Sequence, residues 1–176
     1  MVNNTIISNS CCVEIGETLI LDDVSFSVNK NSLIAVVGPN GGGKTTLFNA
    51  ITGLIPITKG SIEINGQDVT KGNGNIGYVP QNENLNWNFP LTARQVVGLG
   101  ITKNFPSIPF ISKNNNNLIE ECINDVGLYD QIDNRVDDMS GGQKQRVLLA
   151  KILAQGANIL LLDEAFSGVD IGSQIS

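Results

Sequence analysis

Nine consecutive residues constrain this chain more than any others: Gly38-Pro39-Asn40-Gly41-Gly42-Gly43-Lys44-Thr45-Thr46. They satisfy the pattern G-x-x-x-x-G-K-[ST] at every fixed position, which are Gly38, Gly43, Lys44 and Thr45. A backbone can wrap a polyphosphate with its N–H groups only where side chains are small or absent. A lysine closing such a loop adds a point charge for the β- and γ-phosphates, and the hydroxyl that follows suits Mg²⁺. Upstream, Leu33-Ile34-Ala35-Val36-Val37 is continuously apolar and reads as a buried strand. Downstream, Thr45–Ile51 reads as a helix. Strand, glycine loop and helix form the context that the motif requires, whereas a turn that binds nothing has no need of both flanks.

Composition narrows what else the chain can be. Its 176 residues suffice for one domain with a real core but not comfortably two. The net charge of −6, without a basic cluster, argues against direct DNA or RNA binding, which relies on Lys and Arg to neutralise phosphates. A glycine loop escapes that objection, because it works through backbone dipoles and one lysine. The sequence contains no histidine, which weighs against a metal enzyme or a histidine-based hydrolase. Cys11, Cys12 and Cys122 match no zinc spacing and read as free thiols of a reducing compartment. No signal peptide and no membrane-spanning stretch is visible, so a soluble chain is expected, with any membrane role coming through a partner.

The rest of the chain reads as an α/β domain with an interruption. Residues 5–28 read as short strands around turns, with Ser25–Val28 alternating as a half-buried strand. Asn31 suits a left-handed turn, and Gly53 with Pro56 ends the first helix. Gly60–Gly66 reads as an edge strand closing on an Asn-Gly turn, and Ile76–Pro80 as another short strand. From about 91 to 140 the character becomes helical. Leu118–Val126 reads as a helix, and the run Ser112–Asn117 as a polar surface loop. Ser140-Gly141-Gly142-Gln143 then opens an apolar helix that Gly156 stops, with Ser140 as its N-cap. Ile159–Leu162 reads as a buried parallel strand ending in Asp163-Glu164.

Two further constellations bear on chemistry. At the C-terminal end of a parallel strand, Asp163 can hold Mg²⁺ and Glu164 can orient or deprotonate a water attacking the γ-phosphate. The helix start at Ser140–Gln143 exposes N–H groups and a positive dipole end, which also suits a phosphate. Because the glycine loop already surrounds its own nucleotide, Ser140 and Gly142 are expected to serve one held by another copy of the domain.

With these residues in place, the sequence resembles the ATP-binding subunits of ATP-binding cassette (ABC) transporters from about Leu21 to Asp170. Gly38–Thr45 is similar to the Walker A loop, and Gln81 to the Q-loop glutamine. Met139-Ser140-Gly141-Gly142-Gln143 resembles the L-S-G-G-Q signature, with methionine for leucine. Ile159–Asp163 resembles Walker B, Glu164 the catalytic glutamate, and Ser167-Gly168-Val169-Asp170 the D-loop. The resemblance implies a P-loop NTPase fold with an N-terminal antiparallel β subdomain and a helical insert. It also implies a cytoplasmic protein, peripheral on the cell membrane, that binds and hydrolyses ATP with Mg²⁺.

The implied roles fall on specific residues. Gly38, Pro39, Asn40, Gly41, Gly42, Gly43, Lys44, Thr45 and Thr46 bind the nucleotide. Thr45, Gln81 and Asp163 organise the metal, and Gln81 and Glu164 serve catalysis. Ser140, Gly141, Gly142, Gln143 and Asp170 complete a nucleotide site in a head-to-tail pair of domains. Transmembrane permease subunits are the direct partners, and an extracytoplasmic substrate-binding protein an indirect one. Asn86-Trp87-Asn88-Phe89-Pro90-Leu91-Thr92 is similar to a segment of importers for zinc, manganese or iron. An aromatic, proline-stiffened loop there suits docking on a permease helix, while the competing reading has Trp87 and Phe89 packing the helical insert.

Three positions depart from the family pattern. Near Ile15 an aromatic that stacks on adenine is expected and missing, at a cost of about 1 kcal/mol in ATP affinity. Ala165 stands where proline is common, and the family's switch histidine has no counterpart before Ser176. The C-terminal part of the domain is therefore expected to be missing. An ATP-binding module without turnover and a soluble ABC ATPase outside transport stand as the alternatives.

Overall fold

The computed structural model describes residues 4–71, 76–80, 87, 90–101 and 113–163. The chain divides into two compact units, Met1–Gly74 and Asn75–Ser176.

The first unit is built on a four-stranded sheet in the order β2-β1-β3-β4. β1 (Asn4–Ile15) and β2 (Thr18–Asn29) form an antiparallel hairpin, β3 (Lys59–Ile64) lies on the other side of β1, and β4 (Gln67–Asp68) is the short edge. In place of several short strands, residues 5–28 thus form two strands of twelve residues each. Bulges break the β1–β2 register between Ser8 and Cys11 and on either side of Val13. The extra residues let one strand pair continue where the sequence pattern shifts phase. Ile6, Cys11, Val13 and Leu21 are buried, with Ile62 and Ile64 from β3. β3 is therefore an interior strand, not the expected edge, because both of its sides are paired. The β3–β4 turn holds Asn65 at φ 50° and Gly66 at φ 77°, the left-handed pair that a tight hairpin needs.

The alternation expected at Ser25–Val28 is present, and Asn31 takes a left-handed φ of 58°. The adjoining run departs from expectation. Leu33–Val37 forms no strand, and Leu33 is 99% and Val37 87% exposed. A parallel strand is held by ladder partners on its flanks and cover on its faces. No strand pairs with this run among the described residues, so apolarity alone does not make it one. Helix α1 (Lys44–Ile51) follows the glycine loop. The helix ends at Gly53, φ 73°, where Gly53 N donates to Ala50 O and Leu54 N to Asn49 O. That pair of bonds satisfies the last carbonyls of the helix.

The second unit has a helical core. α2 (Ala93–Ile101), α3 (Lys113–Asp125) and α4 (Gly141–Ala154) share one buried cluster that includes Val97, Ile119, Ile123, Val136 and Val147. α2 and α4 approach so closely that a Cβ on Gly100 would overlap the Lys151 carbonyl. The asparagine run, expected as a loop, forms the first turns of α3 from Lys113 onward. Asparagine is a poor helix former, but the buried face of Ile119, Cys122 and Ile123 stabilises the helix that the run begins. Ser112 lies outside the described residues. β5 (Ile76–Val79) and β6 (Ile159–Leu162) pair in parallel. β6 was expected to be buried. Only Leu161 is buried, and Leu160 is exposed, since the pair carries no further strand among the described residues. Cys11, Cys12 and Cys122 are free thiols, as expected. Burial pushes the Cys11 and Cys122 thiols above their ordinary range.

Candidate nucleotide-binding site

In the first unit, the glycine loop folds on itself. Gly42 N donates to Pro39 O at 3.1 Å, and the Lys44 ammonium donates to both Gly38 O and Pro39 O at 2.9 Å. Gly43 caps α1 at φ 83°, a left-handed conformation, and a Cβ there would come within 2.9 Å of Leu21 Cδ2. The left-handed φ is what calls for glycine at that position, since the Leu21 methyl can shift. The loop is open to solvent from Gly38 to Gly42, and the first turn of α1 carries no acidic side chain. The first-turn N–H groups of α1 lie next to this open loop with no acid beside them, and the lysine rests on two loop carbonyls, a donor set that fits a polyphosphate. Thr45 is exposed and Thr46 half-buried. Ile15, near the expected adenine position, is 55% exposed at the end of β1.

In the second unit, Ser140 caps α4 as expected. Gln143 N donates to Ser140 Oγ at 3.3 Å, and Ser140 N donates to Gln143 Oε1 at 2.8 Å, a reciprocal capping box. The Gln143 amide also donates from Nε2 to Gln131 Oε1 at 2.8 Å. Both ends of that side chain are therefore committed inside the unit, which makes Gln143 a brace for the turn. Gly141 and Gly142 differ: a Cβ on either meets nothing within 4 Å, and neither has a positive φ. Neither packing nor backbone conformation within the described residues calls for glycine there; the close approach of an outside molecule would. Beside the turn, Gln131, Asn134, Arg135, Asp138, Met139 and Gln143 line an open pocket of about 420 Å³.

Asp163 ends β6 and is 2% exposed. Its N–H donates to Val79 O at 2.9 Å, which continues the β5–β6 ladder and fixes the carboxylate at the strand tip. The Tyr78 hydroxyl donates to Asp163 Oδ2 at 3.4 Å. Burial, then the neighbouring Asp163 charge, pushes the Tyr78 phenol up to about 12. A buried carboxylate needs a donor or cation partner, which suits the role of a metal ligand. Gln81, Glu164 and Asp170 lie outside the described residues, as do Asn86, Phe89 and Ala165.

Trp87 is half-buried and packs against the helical cluster, with Lys144 Nζ 5.9 Å from its ring centroid. For Trp87 the structure has the packing arrangement, and the ring braces the first turn of α4. The sequence reading missed two features here. Thr92 and Gln95 form a second capping box, with Thr92 N donating to Gln95 Oε1 at 2.9 Å and Gln95 N to Thr92 Oγ1 at 3.3 Å. Its signature, Thr-x-x-Gln, was visible. The other feature is Arg94, which binds Glu120 at 2.8 Å and Asp133 at 2.9 Å. No local pattern announces partners that distant. Arg94 holds the Asp133 carboxyl below its ordinary range.

A glycine loop that opens a lysine-led helix, in a unit built on an antiparallel sheet, defines a P-loop ATP-binding fold. The chain belongs to the ABC transporter family, whose profile matches residues 21–167. It is 37% identical to the manganese transport system ATP-binding protein MntB of Bacillus subtilis, covering 88% of this chain and 62% of that protein. Identity is 40% to the chelated iron transport system membrane protein YfeB of Yersinia pestis, with 90% and 54% covered. For the zinc transport system ATP-binding protein TroB of Treponema pallidum it is 36%, with 88% and 58% covered. The chain thus spans between 54% and 62% of the length of these relatives. Among solved structures, cbiO1 of Clostridium perfringens, part of the ABC transporter complex cbiONQ, superposes with a TM-score of 0.83 at 23% identity, covering 96% of this chain and 68% of that one. A nucleotide-free ATP-binding cassette from an ABC transporter gives 0.78 at 24% identity, covering 95% and 71%. Both share the fold. Among the described residues, no helix is long and apolar enough to cross a membrane.

Proposed function

We propose that this chain is an ATP-binding and ATP-hydrolysing domain that energises an importer for a divalent transition metal ion: manganese, zinc or iron. The observation that carries the proposal is the solvent-open glycine loop that Lys44 closes by bonding Gly38 O and Pro39 O, with no acid in the first turn of its helix. The metal-importer assignment draws support from the relatives' names, which specify manganese, chelated iron and zinc transport.

In this reading the loop amides from Gly38 to Gly43 and the Lys44 ammonium hold the β- and γ-phosphates, and the first-turn N–H groups at Thr45 and Thr46 add donors. To receive phosphate, Lys44 exchanges its bonds to Gly38 O and Pro39 O for stronger, charge-assisted ones. Thr45, Gln81 and Asp163 hold Mg²⁺, which neutralises charge on the phosphates when bound. Among the described residues no three His, Cys, Asp or Glu side chains converge. Mg²⁺ in such sites is commonly held by one or two carboxylates with water and phosphate, and needs no all-protein cage. Glu164 takes the proton of the attacking water, with Gln81 orienting it. Ser140, Gly141 and Gly142 approach the γ-phosphate of a nucleotide on a second copy, which accounts for two glycines facing open space. Gln143 keeps that turn in shape, and Asp170 lies at the same junction. The whole chain acts as one ATP-binding domain that docks on permease subunits at the cytoplasmic face of the membrane.

Phosphate release by the full chain, alone and with its permease, tests the proposal alongside uptake of Mn²⁺, Zn²⁺ and Fe²⁺ by cells. Turnover and uptake that both disappear in Lys44→Ala and Glu164→Gln are expected. Metal uptake that persists in Lys44→Ala contradicts the transport role. ATP binding without Glu164-dependent turnover leaves a nucleotide-binding module and removes the hydrolytic step.

A further inference from the structure

The stretch that leads to Ser140 is held at every residue from Gln131 to Asp137. Gln131 is bound by the Gln143 amide, and Ile132 O accepts from Arg94 N at 2.9 Å. The Asp133 carboxylate takes the Arg94 guanidinium, and Asn134 O accepts from Ala93 N at 3.1 Å. Arg135 forms a β-bridge with Thr92, and Val136 N donates to Leu91 O at 2.9 Å. The Lys144 ammonium donates to Asp137 O at 3.2 Å. Five of these seven contacts come from one short segment, Leu91–Arg94. That segment lies at the start of α2, about a dozen residues after Gln81.

Arg94 is the residue that locks this zipper. Its Nε donates to Asp133 Oδ1 at 2.9 Å, and its Nη1 donates to Glu120 Oε1 at 2.8 Å. Its own N–H donates to Ile132 O. One planar guanidinium thereby ties the start of α2, the middle of α3 and the loop that runs to Ser140. Arginine's fixed fork suits such a junction, and lysine's single ammonium does not reproduce it. The Arg94 side chain is only 25% exposed, so losing an acid partner leaves a charge poorly solvated. The two carboxylates face it from different elements, which keeps the guanidinium from following either one alone.

We propose that Arg94 is a positioning residue for the Ser140–Gly142 turn. Through the Leu91–Arg94 zipper it couples the segment downstream of Gln81 to the placement of Ser140. A shift of that segment is then delivered to the turn and is not absorbed by a loose loop. The inference deepens the reading of Ser140 as part of a shared nucleotide site and rests on it for its functional consequence.

Amide hydrogen exchange on the full chain tests it, using Arg94→Gln and, separately, Asp133→Asn. Asp133 is largely exposed, so its neutral variant keeps the fold if Arg94→Gln does not. Exchange at residues 132–140 is expected to accelerate by about tenfold in Arg94→Gln, the scale of one or two lost charge-assisted hydrogen bonds. Asp133→Asn gives a smaller change over the same residues. Amides in α1 and at Ile119–Ile123 stay at their wild-type rates, and affinity for a fluorescent ATP analogue stays within about twofold. ATP-dependent self-association weakens. Unchanged exchange at 132–140 in both variants overturns the inference, as does acceleration spread equally through α3, which marks a general loss of stability. A wild-type chain that binds ATP without self-associating removes the shared-site reading, while the exchange pattern still decides the role of Arg94.

Discussion

The two glycine-bearing elements of this chain are held in opposite ways. The phosphate loop of the first unit is shaped by its own residues: Lys44 bonds Gly38 O and Pro39 O, and Gly42 bonds Pro39 O. The Ser140 turn of the second unit has its own capping box, but its approach is fixed by Leu91–Arg94, some forty residues earlier. A self-shaped loop can rearrange around an arriving phosphate at low cost. An externally clamped turn moves only when its clamp moves. In the proposed function the first element binds and the second is positioned.

That contrast can be broken or sharpened by substitution. The largest effect is expected from Ile123→Ala, which opens a cavity in the helical cluster at a fully buried site. It costs about 2–5 kcal/mol, read by urea denaturation, and removes ATP-dependent self-association. Nucleotide affinity at the loop is kept if the two elements are independent. Lys44→Ala does the reverse: affinity for Mg·ATP falls by about 100-fold, near 2.7 kcal/mol, in equilibrium titration, while the melting of the helical unit does not move. Ser140→Ala removes the α4 cap and costs about 1 kcal/mol of stability, visible in the same denaturation experiment.

Acid should act on the clamp. The Asp133 carboxyl is held below its ordinary value by Arg94. The unfolded chain therefore takes up that proton first. The stabilisation is present above the unfolded value, about pH 4, and fades as pH falls through the lower folded value. Stability measured from pH 6 down to 3 should lose this component in Arg94→Gln. The smallest effect is expected at Leu33→Asp. At 99% exposure it changes stability by less than about 0.5 kcal/mol, and a cost of several kcal/mol would mean that the run is covered.

How much of this was legible follows from the same contrast. Features written within a few residues could be read directly: the glycine loop, the Ser140 cap, the stops at Gly53 and Gly156, and the Asn65-Gly66 turn. Each depends on a local φ or a local hydrogen bond. Leu33–Val37 misled because strand formation needs partners, and a sequence window does not contain them. The asparagine run misled for the complementary reason, since burial of Ile119 and Ile123 overrides a weak local preference. β3 looked like an edge because its neighbour β1 lies some fifty residues away. At the site, Arg94 was unreadable for that cause too: Glu120 and Asp133 are 26 and 39 residues from it.

The central claim is that the Lys44 loop of one copy and the Ser140 turn of another share a nucleotide. Sedimentation velocity in Mg·ATP tests it on Lys44→Ala, on Ser140→Arg and on their equimolar mixture. Each variant alone should stay dissociated, because both of its shared sites are damaged. In a mixed pair, the intact loop of the Ser140→Arg chain meets the intact turn of the Lys44→Ala chain. The account predicts that the mixture associates. A mixture that stays dissociated while the wild type pairs, or a Ser140→Arg chain that pairs like the wild type, would contradict it.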